Sequence, residues 1–236
     1  MRFLCIFAHP DDEAYGPAGT IAHLIAHGAH GYLLTLTQGG AGTLGVCKHL
    51  PVEQKKRMRS QELACAAKTL GFKQHFLLDL PDGKLATLSQ TDGVAIVYDF
   101  IRHIKPQMVI TFHAGGISGH PDHVTTTQWV LLAMKQWTGD GELYCYGMSK
   151  TMVRYFKDRR LIPMQDNEIK FSVDVSAVVA KKVAAIHCHQ SQLELWQRLQ
   201  QIEGDYVQLI RKEVFALPFS SNNQYYLLQF PGVVHV

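Results

Sequence analysis

The sequence has no apolar run that approaches the roughly 18 residues of a membrane span. Its N-terminal apolar stretch holds only about seven residues before a charged motif and lacks a small-residue cleavage site, which argues against a signal peptide. The formal net charge is only +3, and the one dense basic cluster, KKRMR at 55–59, is typical of a solvated helix face. We therefore expect a cytoplasmic protein with no membrane span and no nucleic-acid partner.

Cysteine is sparse and shows no framework spacing. No two cysteines are spaced as CxxC, and their number is odd. The five are Cys5, Cys47, Cys65, Cys145 and Cys188. This usage favours free thiols in a reducing compartment over a disulfide framework.

The sequence also lacks the signatures of a phosphate-binding loop. The glycine-rich segment QGGAGTLG at 38–45 has neither the lysine of a Walker motif nor GxGxxG spacing. We therefore expect this segment to form a flexible rim over a pocket rather than a phosphate cradle.

What the sequence does have is an ordinary globular composition, with 47% hydrophobic and 18% charged residues. Through roughly the first 135 residues, short apolar runs alternate with helical patterns, which is typical of βαβ units. The predicted strands are RFLCIFA, YLLTLT, HFLL and MVITF, and the predicted helices cover 16–28, 51–70, 94–104 and 124–137. This alternation predicts an open, doubly wound α/β fold with a parallel sheet.

The last 95 residues or so are less regular. Strands are predicted near LYCY, IKFSVD and QYYLLQF, and helices near 176–187 and 191–207. No linker, low-complexity segment or repeat interrupts the chain. A single domain over residues 1–236 is therefore the economical interpretation.

Two polar clusters follow predicted strands. AHPDDE at 8–13 comes after the first strand, and HAGGISGHPDH at 113–123 comes after the fourth. Ligands bind at the carboxyl ends of the strands in open α/β sheets, so both clusters should emerge at one edge. Each cluster also contains the sequence His-Pro-Asp, which makes two unrelated surface loops a poor explanation.

The residue types in these clusters suit a metal site. His120 and His123 are three apart at a helix start, so both can face one site. The proline after His9 restrains the backbone, and the turn can aim His9 and one of Asp11 or Asp12 inward. Two imidazoles and a carboxylate form a common catalytic zinc shell with a fourth position left for water. A single histidine is more often structural, but the set favours a metal site.

The two His-Pro-Asp motifs resemble those of the PIG-L/LmbE-like family of zinc-dependent N-acetylglucosamine deacetylases. Supporting matches are RSQELACAAKTLG at 59–71, DLPDG at 79–83 and FSVDVSAVVAKKVAAIHCHQSQ at 171–192. The resemblance covers at least residues 3–192. It implies a Rossmann-like fold and a zinc-dependent hydrolase that removes the N-acetyl group from an N-acetylglucosamine-containing substrate, an amino-sugar conjugate.

The same resemblance implies which residues bind the metal and which residue is the general base. It implies that His9, Asp12 and His123 bind Zn²⁺. It implies that Asp11 is the general base that activates water on the metal. Hydrolysis of an amide C–N bond other than a peptide bond would follow from this arrangement.

Further roles are implied for residues outside the ligand set. The resemblance implies that His120 is a general acid and oxyanion partner, oriented by Asp122. Arg59 and His189 are candidates for substrate binding. One position departs from the family pattern, because Ser118 stands where some members carry a tyrosine two residues before the motif histidine.

Two other hypotheses stay open from the sequence. The chain could be a zinc hydrolase of another amide, or a non-catalytic sugar- or nucleotide-binding module on the same fold. The intact pair of motifs argues against the binding module, which needs no base, acid and three ligands together. Family members are often oligomeric, so the resemblance leaves a homo-oligomer open.

Overall fold

The computed structural model describes residues 1–43, 45–156, 160–201, 209–219 and 225–236. Its strands are β1 (Arg2–Phe7), β2 (His30–Thr37), β3 (Gln74–Leu80), β4 (Met108–Phe112), β5 (Glu142–Gly147), β6 (Phe171–Asp174), β7 (Lys212–Ala216) and β8 (Val233–His235). They form one eight-stranded sheet in the order β3-β2-β1-β4-β5-β7-β6-β8. The first five strands in this order are parallel, and the rest pair antiparallel. The predicted mainly parallel α/β sheet is confirmed.

The helices cover both faces of this sheet. They are α1 (Asp12–Tyr15), α2 (Ala18–Ala26), α3 (Val52–Leu70), α4 (Gln90–Ile104), α5 (Gly116–Gly119), α6 (Pro121–Gln136), α7 (Lys150–Val153), α8 (Val179–Cys188) and α9 (Leu193–Gln200). Short 3-10 helices occupy Gly45–His49, Leu85–Thr87, Ser176–Val178, Gln190–Gln192 and Tyr226–Gln229. No helix in the described part of the chain combines the length and the apolar character needed to cross a membrane.

Alternation along β1 explains the two layers of the core. Phe3 and Phe7 point to one face, where α2, α3 and α8 pack, whereas Leu4 and Ile6 point to the other, where α4 and α6 pack. Burying each such side chain contributes about 1.5–3 kcal/mol. The apolar run therefore fixes β1 in the centre of the sheet, with polar residues starting only where the strand ends.

Two helices begin earlier than predicted because of their caps. The hydroxyl of Ser89 accepts the Asp92 N–H at 3.3 Å, which starts α4 at Gln90. Pro121 occupies the first turn of α6, where its missing N–H costs nothing. The predicted ranges 94–104 and 124–137 marked only the apolar parts of these helices.

The C-terminal third departs most from expectation. LYCY and IKFSVD form β5 and β6 as predicted, but β7 and β8 were not predicted. The strand predicted at QYYLLQF is wrong, because the described part of that segment is a 3-10 turn. The buried Glu142 carboxylate accepts the N–H groups of Tyr225 and Tyr226, which a strand would have needed. The predicted helix 191–207 lies partly outside the described residues, and α9 ends at Gln200.

The cysteines are also not all free. Cys65 on α3 and Cys188 at the end of α8 form a disulfide with their Cα atoms 5.6 Å apart. The two are 123 positions apart in sequence, so no short cysteine spacing predicts their pairing. The expectation of free thiols is wrong for this pair. The remaining cysteines, Cys5, Cys47 and Cys145, are buried free thiols.

Candidate metal centre

The two His-Pro-Asp clusters meet at one edge of the sheet. The strands β1 and β4 are adjacent and parallel, so their carboxyl ends open on the same side. The first cluster turns from β1 into α1, and the second leads into α6, whose N-cap is His120. Residues of both clusters line one cavity of about 340 Å³. The predicted shared edge is therefore confirmed.

Hydrogen-bond partners determine which nitrogen of each imidazole is free. The Nε2 atom of His9 lies 3.0 Å from Asp82 Oδ1 and 3.2 Å from Asp122 Oδ2. It therefore carries a proton, which leaves Nδ1 as the nitrogen available to a metal. The Nδ1 atom of His123 lies 3.0 Å from the carbonyl oxygen of Gly116, so Nε2 is its nitrogen available to a metal. These two nitrogens face each other at 3.0 Å, a hydrogen-bond distance, so a metal ion that bound there would displace the proton between them.

Asp12 completes the set of donor atoms. Its Oδ1 lies 3.2 Å from His123 Nε2, and its Oδ2 lies 3.7 Å from His9 Nδ1. Ligands at about 2.0–2.1 Å from a tetrahedral zinc ion lie roughly 3.3 Å from one another. Burial raises the pKa of Asp12, but His123 and His9 more than offset this and lower it to about 2. The separations and the ionised carboxylate fit a zinc ion.

His120 sits beside this set with a different hydrogen-bond pattern. Its Nδ1 accepts the N–H of Asp122 at 3.2 Å, so Nε2 carries the proton in the neutral ring. A ring nitrogen of His120 also lies within 4.8 Å of ring nitrogens of His9 and His123. Burial and the two neighbouring imidazoles lower the pKa of His120. The ring is therefore a neutral N–H donor near the ligand set.

The carboxylate of Asp122 does not orient His120, which corrects the expectation. It is fully buried and accepts from the N–H groups of Gly83 at 2.7 Å and Leu85 at 2.9 Å, as well as contacting His9. Only the backbone N–H of Asp122 reaches His120. The Asp122 side chain, in the first turn of α6, points toward the segment after β3 that carries the N–H groups of Gly83 and Leu85. Asp122 therefore positions His9.

Asp11 lies next to the ligand set in a strained turn. Its φ of 111° belongs to the left-handed region that non-glycine residues seldom adopt. Its Oδ2 lies 3.1 Å from Nη2 of Arg59, whose guanidinium also donates to the carbonyls of Pro10 and Gly39. Burial raises the pKa of Asp11 to about 6, although Arg59 lowers it. The guanidinium predicted to bind sugar thus lines the cavity but is already engaged.

The cavity has one polar end and one apolar wall. The polar end is the His/Asp cluster. The wall is formed by Phe112, Ile117, Tyr146, Met148 and Leu161, with Ser118 beside them. Residues 41–43 also line the cavity, so part of the glycine-rich segment lies where a rim was predicted. We call residues 39–43 the glycine-rich rim.

The sequence matches a known family over the part that builds this site. A sequence model described as "PIG-L: GlcNAc-PI de-N-acetylase" matches residues 4–134, more than half of the chain. The chain belongs to the PIG-L family. Both His-Pro-Asp motifs fall inside the matched region, so the predicted resemblance is confirmed.

Relatives of this PIG-L chain carry deacetylase names. It is 28% identical to a 1D-myo-inositol 2-acetamido-2-deoxy-alpha-D-glucopyranoside deacetylase from Kineococcus radiotolerans, over 82% of this chain and 69% of that protein. A protein of the same name from Salinispora arenicola is 26% identical, over 81% of this chain and 76% of that protein.

Solved structures share the fold at lower identity. The 4-carboxy-2-hydroxymuconate hydratase from Pseudomonas putida superposes with a TM-score of 0.71 at 20% identity, covering 94% of this chain and 98% of that one. The N,N'-diacetylchitobiose deacetylase from Pyrococcus horikoshii gives 0.63 at 20% identity, covering 83% and 74%. Because the named reactions differ, these structures establish the PIG-L chain's fold and not its reaction.

His189 of the PIG-L chain is not placed for substrate binding, which corrects the sequence prediction. It is fully buried, and its Nε2 lies 2.5 Å from Oε1 of Glu13. Glu13 in turn accepts the N–H of Asp11 at 3.2 Å. Because α8 packs against α1, the residue after α8 meets the inner side of α1 instead of the cavity. His189 and Glu13 therefore stabilise the turn at Asp11 from the inner side of α1.

Sequence reasoning missed one residue of the site. Asp82, in the DLPDG segment that supported the family resemblance, contacts His9 and lines the cavity. A signal was present, since Asp82 follows β3 and so belongs to the same sheet edge as the other clusters. Because Pro-Asp-Gly by itself is typical of a turn, Asp82 was not predicted as a site residue.

Proposed function

We propose that this chain is a zinc-dependent hydrolase that removes the N-acetyl group from an N-acetylglucosamine-containing substrate. One observation carries the proposal: two imidazole nitrogens and a carboxylate, from His9, His123 and Asp12, converge within 3.0–3.7 Å. The deacetylase names of the relatives support the reaction class. We also propose one catalytic domain over residues 1–236, because one sheet joins β1 to β8.

The proposed zinc ligands and Asp11 have different roles in the reaction. Zinc held by His9, Asp12 and His123 would polarise the amide carbonyl and lower the pKa of a water molecule. Asp11 accepts the proton of the attacking water, since it borders the cavity beside the ligand set. A pKa of about 6 lets the same carboxyl give that proton to the leaving amine. The ion pair with Arg59 holds the carboxylate in this position.

His120 stabilises charge rather than supplying the proton. Its pKa is lowered, so the neutral ring dominates at neutral pH and presents an N–H. That N–H donates a hydrogen bond to the carbonyl oxygen as negative charge develops there. We therefore propose His120 as the oxyanion donor and Asp11 as the proton source, in place of the acid role implied by the resemblance.

The test is acetate release from a panel of compounds. The panel holds N-acetylglucosamine, N,N'-diacetylchitobiose, an N-acetylglucosaminyl inositol, and simple N-acetyl amides without a sugar. We expect zinc-dependent acetate release from at least one amino-sugar conjugate, loss after chelation, and recovery on adding zinc. The protein should hold about one zinc ion per chain.

Each other outcome identifies a competing hypothesis. Turnover of the simple amides alone would replace the amino-sugar assignment with a hydrolase of another amide. Binding of the sugars without acetate release, by zinc-loaded protein, would support the non-catalytic module. His123→Ala serves as the metal-deficient control, because it removes one of the two facing nitrogens.

A further inference from the structure

The glycine-rich rim is tied to the site by three side chains. Nη1 of Arg59 donates to the carbonyl of Gly39 at 3.2 Å, and Nζ of Lys55 donates to the carbonyl of Gly42 at 2.8 Å. The N–H of Ala41 donates to Oδ2 of Asp82 at 2.6 Å. The rim borders the cavity, so its position sets the shape that a substrate meets.

One of these anchors also reaches the ligand set. The second oxygen of Asp82, Oδ1, lies 3.0 Å from Nε2 of His9. Each oxygen of this carboxylate thus accepts from a different element, and the side chain is only 10% exposed. Asp82 is therefore a direct link between the rim and a proposed zinc ligand.

Asp82 is the nearer of the two carboxylates that share the His9 proton. Asp122 Oδ2 lies 3.2 Å from Nε2 and also accepts the Gly83 N–H at 2.7 Å. Asp82 Oδ1 lies 3.0 Å away. A carboxylate on the far nitrogen of a metal-binding imidazole fixes its tautomer and raises its basicity.

We infer that Asp82 is a positioning residue that fixes His9 for zinc and the glycine-rich rim for the substrate at the same time. The inference rests on the proposed function for its substrate half only. Its zinc half concerns the affinity of the protein for the metal, which can be measured without any substrate.

The decisive variant is Asp82→Asn. An amide has one acceptor oxygen, so it cannot accept from both His9 and Ala41, and its NH₂ must face one of these donors. It also removes the negative charge that supports the imidazole. We expect the zinc Kd, measured by chelator competition on metal-depleted protein, to rise about tenfold. At saturating zinc we expect KM for the N-acetyl sugar to rise, because the rim loses the acceptor of the Ala41 N–H.

Two matched variants separate the two halves. Lys55→Ala loosens the rim at Gly42 without touching His9, so it should raise KM and leave the zinc Kd unchanged. Asp79→Asn makes the same chemical change three residues away, at a half-exposed side chain paired with Lys56, and should change neither quantity. Should Asp82→Asn not fold, Asp82→Ala removes both acceptor oxygens with a smaller side chain and is measured in its place.

The outcomes are distinct from those of the function test. A zinc Kd within twofold of wild type would overturn the zinc half of the inference. A raised Kd with unchanged KM at saturating zinc would overturn the rim half. If no N-acetyl compound is turned over by the wild type, the proposed function fails, and the zinc comparison still decides whether Asp82 positions His9.

Discussion

Asp11→Asn and Asp12→Asn replace neighbouring carboxylates by amides of nearly the same shape, and we expect opposite consequences. Asp12 faces Nε2 of His123 at 3.2 Å, so an amide there removes the anionic ligand from the set. Asp11 instead lies 3.1 Å from Arg59. An amide at position 11 leaves the ligands in place but cannot accept the proton of the attacking water.

The magnitude follows from the role of each carboxylate. Losing a general base lowers kcat by about 10²–10⁴, which corresponds to about 2.7–5.4 kcal/mol of transition-state stabilisation. Asparagine suits the test because it tolerates positive φ, whereas alanine at the φ of 111° would add strain of about 1–3 kcal/mol. The amide oxygen can still accept from Arg59, so the stability loss should be on the order of 1 kcal/mol.

The assay compares zinc content and kcat for both variants side by side. Asp11→Asn should keep about one zinc ion per chain and lose turnover, while Asp12→Asn should bind zinc weakly and regain part of its activity in excess zinc. Glu53→Gln, the same chemical change at an exposed side chain, is the control. Zinc loss from Asp11→Asn with a normal zinc content in Asp12→Asn would refute the assignment.

Three further predictions concern Asp122, Asp11 and the buried ion pair between Lys182 on α8 and Glu213 on β7. Asp122→Asn should raise the zinc Kd about tenfold, because its carboxylate contacts His9. Below about pH 6, kcat/KM should fall about tenfold per pH unit, because the Asp11 carboxyl becomes protonated and cannot accept a proton. Bound zinc would shift this acid limb of the profile to lower pH, since a nearby cation favours the carboxylate. Lys182→Met should lower the free energy of unfolding by about 3–5 kcal/mol in a urea titration, because it leaves the Glu213 carboxylate buried without the Nζ that lies 2.6 Å away.

Each of these has its own contradicting result. A zinc Kd within twofold of wild type in Asp122→Asn would overturn the assignment of Asp122 to His9. An acid limb that persists in Asp11→Asn would assign the titration to another group. A loss below about 1 kcal/mol in Lys182→Met, similar to that of the exposed control Lys181→Met, would show that water or rearrangement satisfies Glu213.

The order of elements in the first 136 residues could be predicted because each is encoded locally. The continuous apolar run of β1 and the apolar stripes of the following helices specify their own conformations. Part of the C-terminal third could not be predicted this way. There, Tyr225 and Tyr226 donate their N–H groups to Glu142, a residue 83 and 84 positions away, and this contact replaces a strand by a turn.

The sequence by itself determined the chemistry available to the site: which donor types occur, and that both clusters follow strands of one parallel sheet. Only the tertiary structure decided how those donors are used. The nitrogen of His9 that is available to a metal depends on Asp82, which follows β3, and on Asp122 in the first turn of α6. His189 lies on the inner side of α1 because α8 packs there. Hydrogen-bond partners distant in sequence select tautomers and orientations, because a buried polar group must be satisfied by whichever group the fold brings to it.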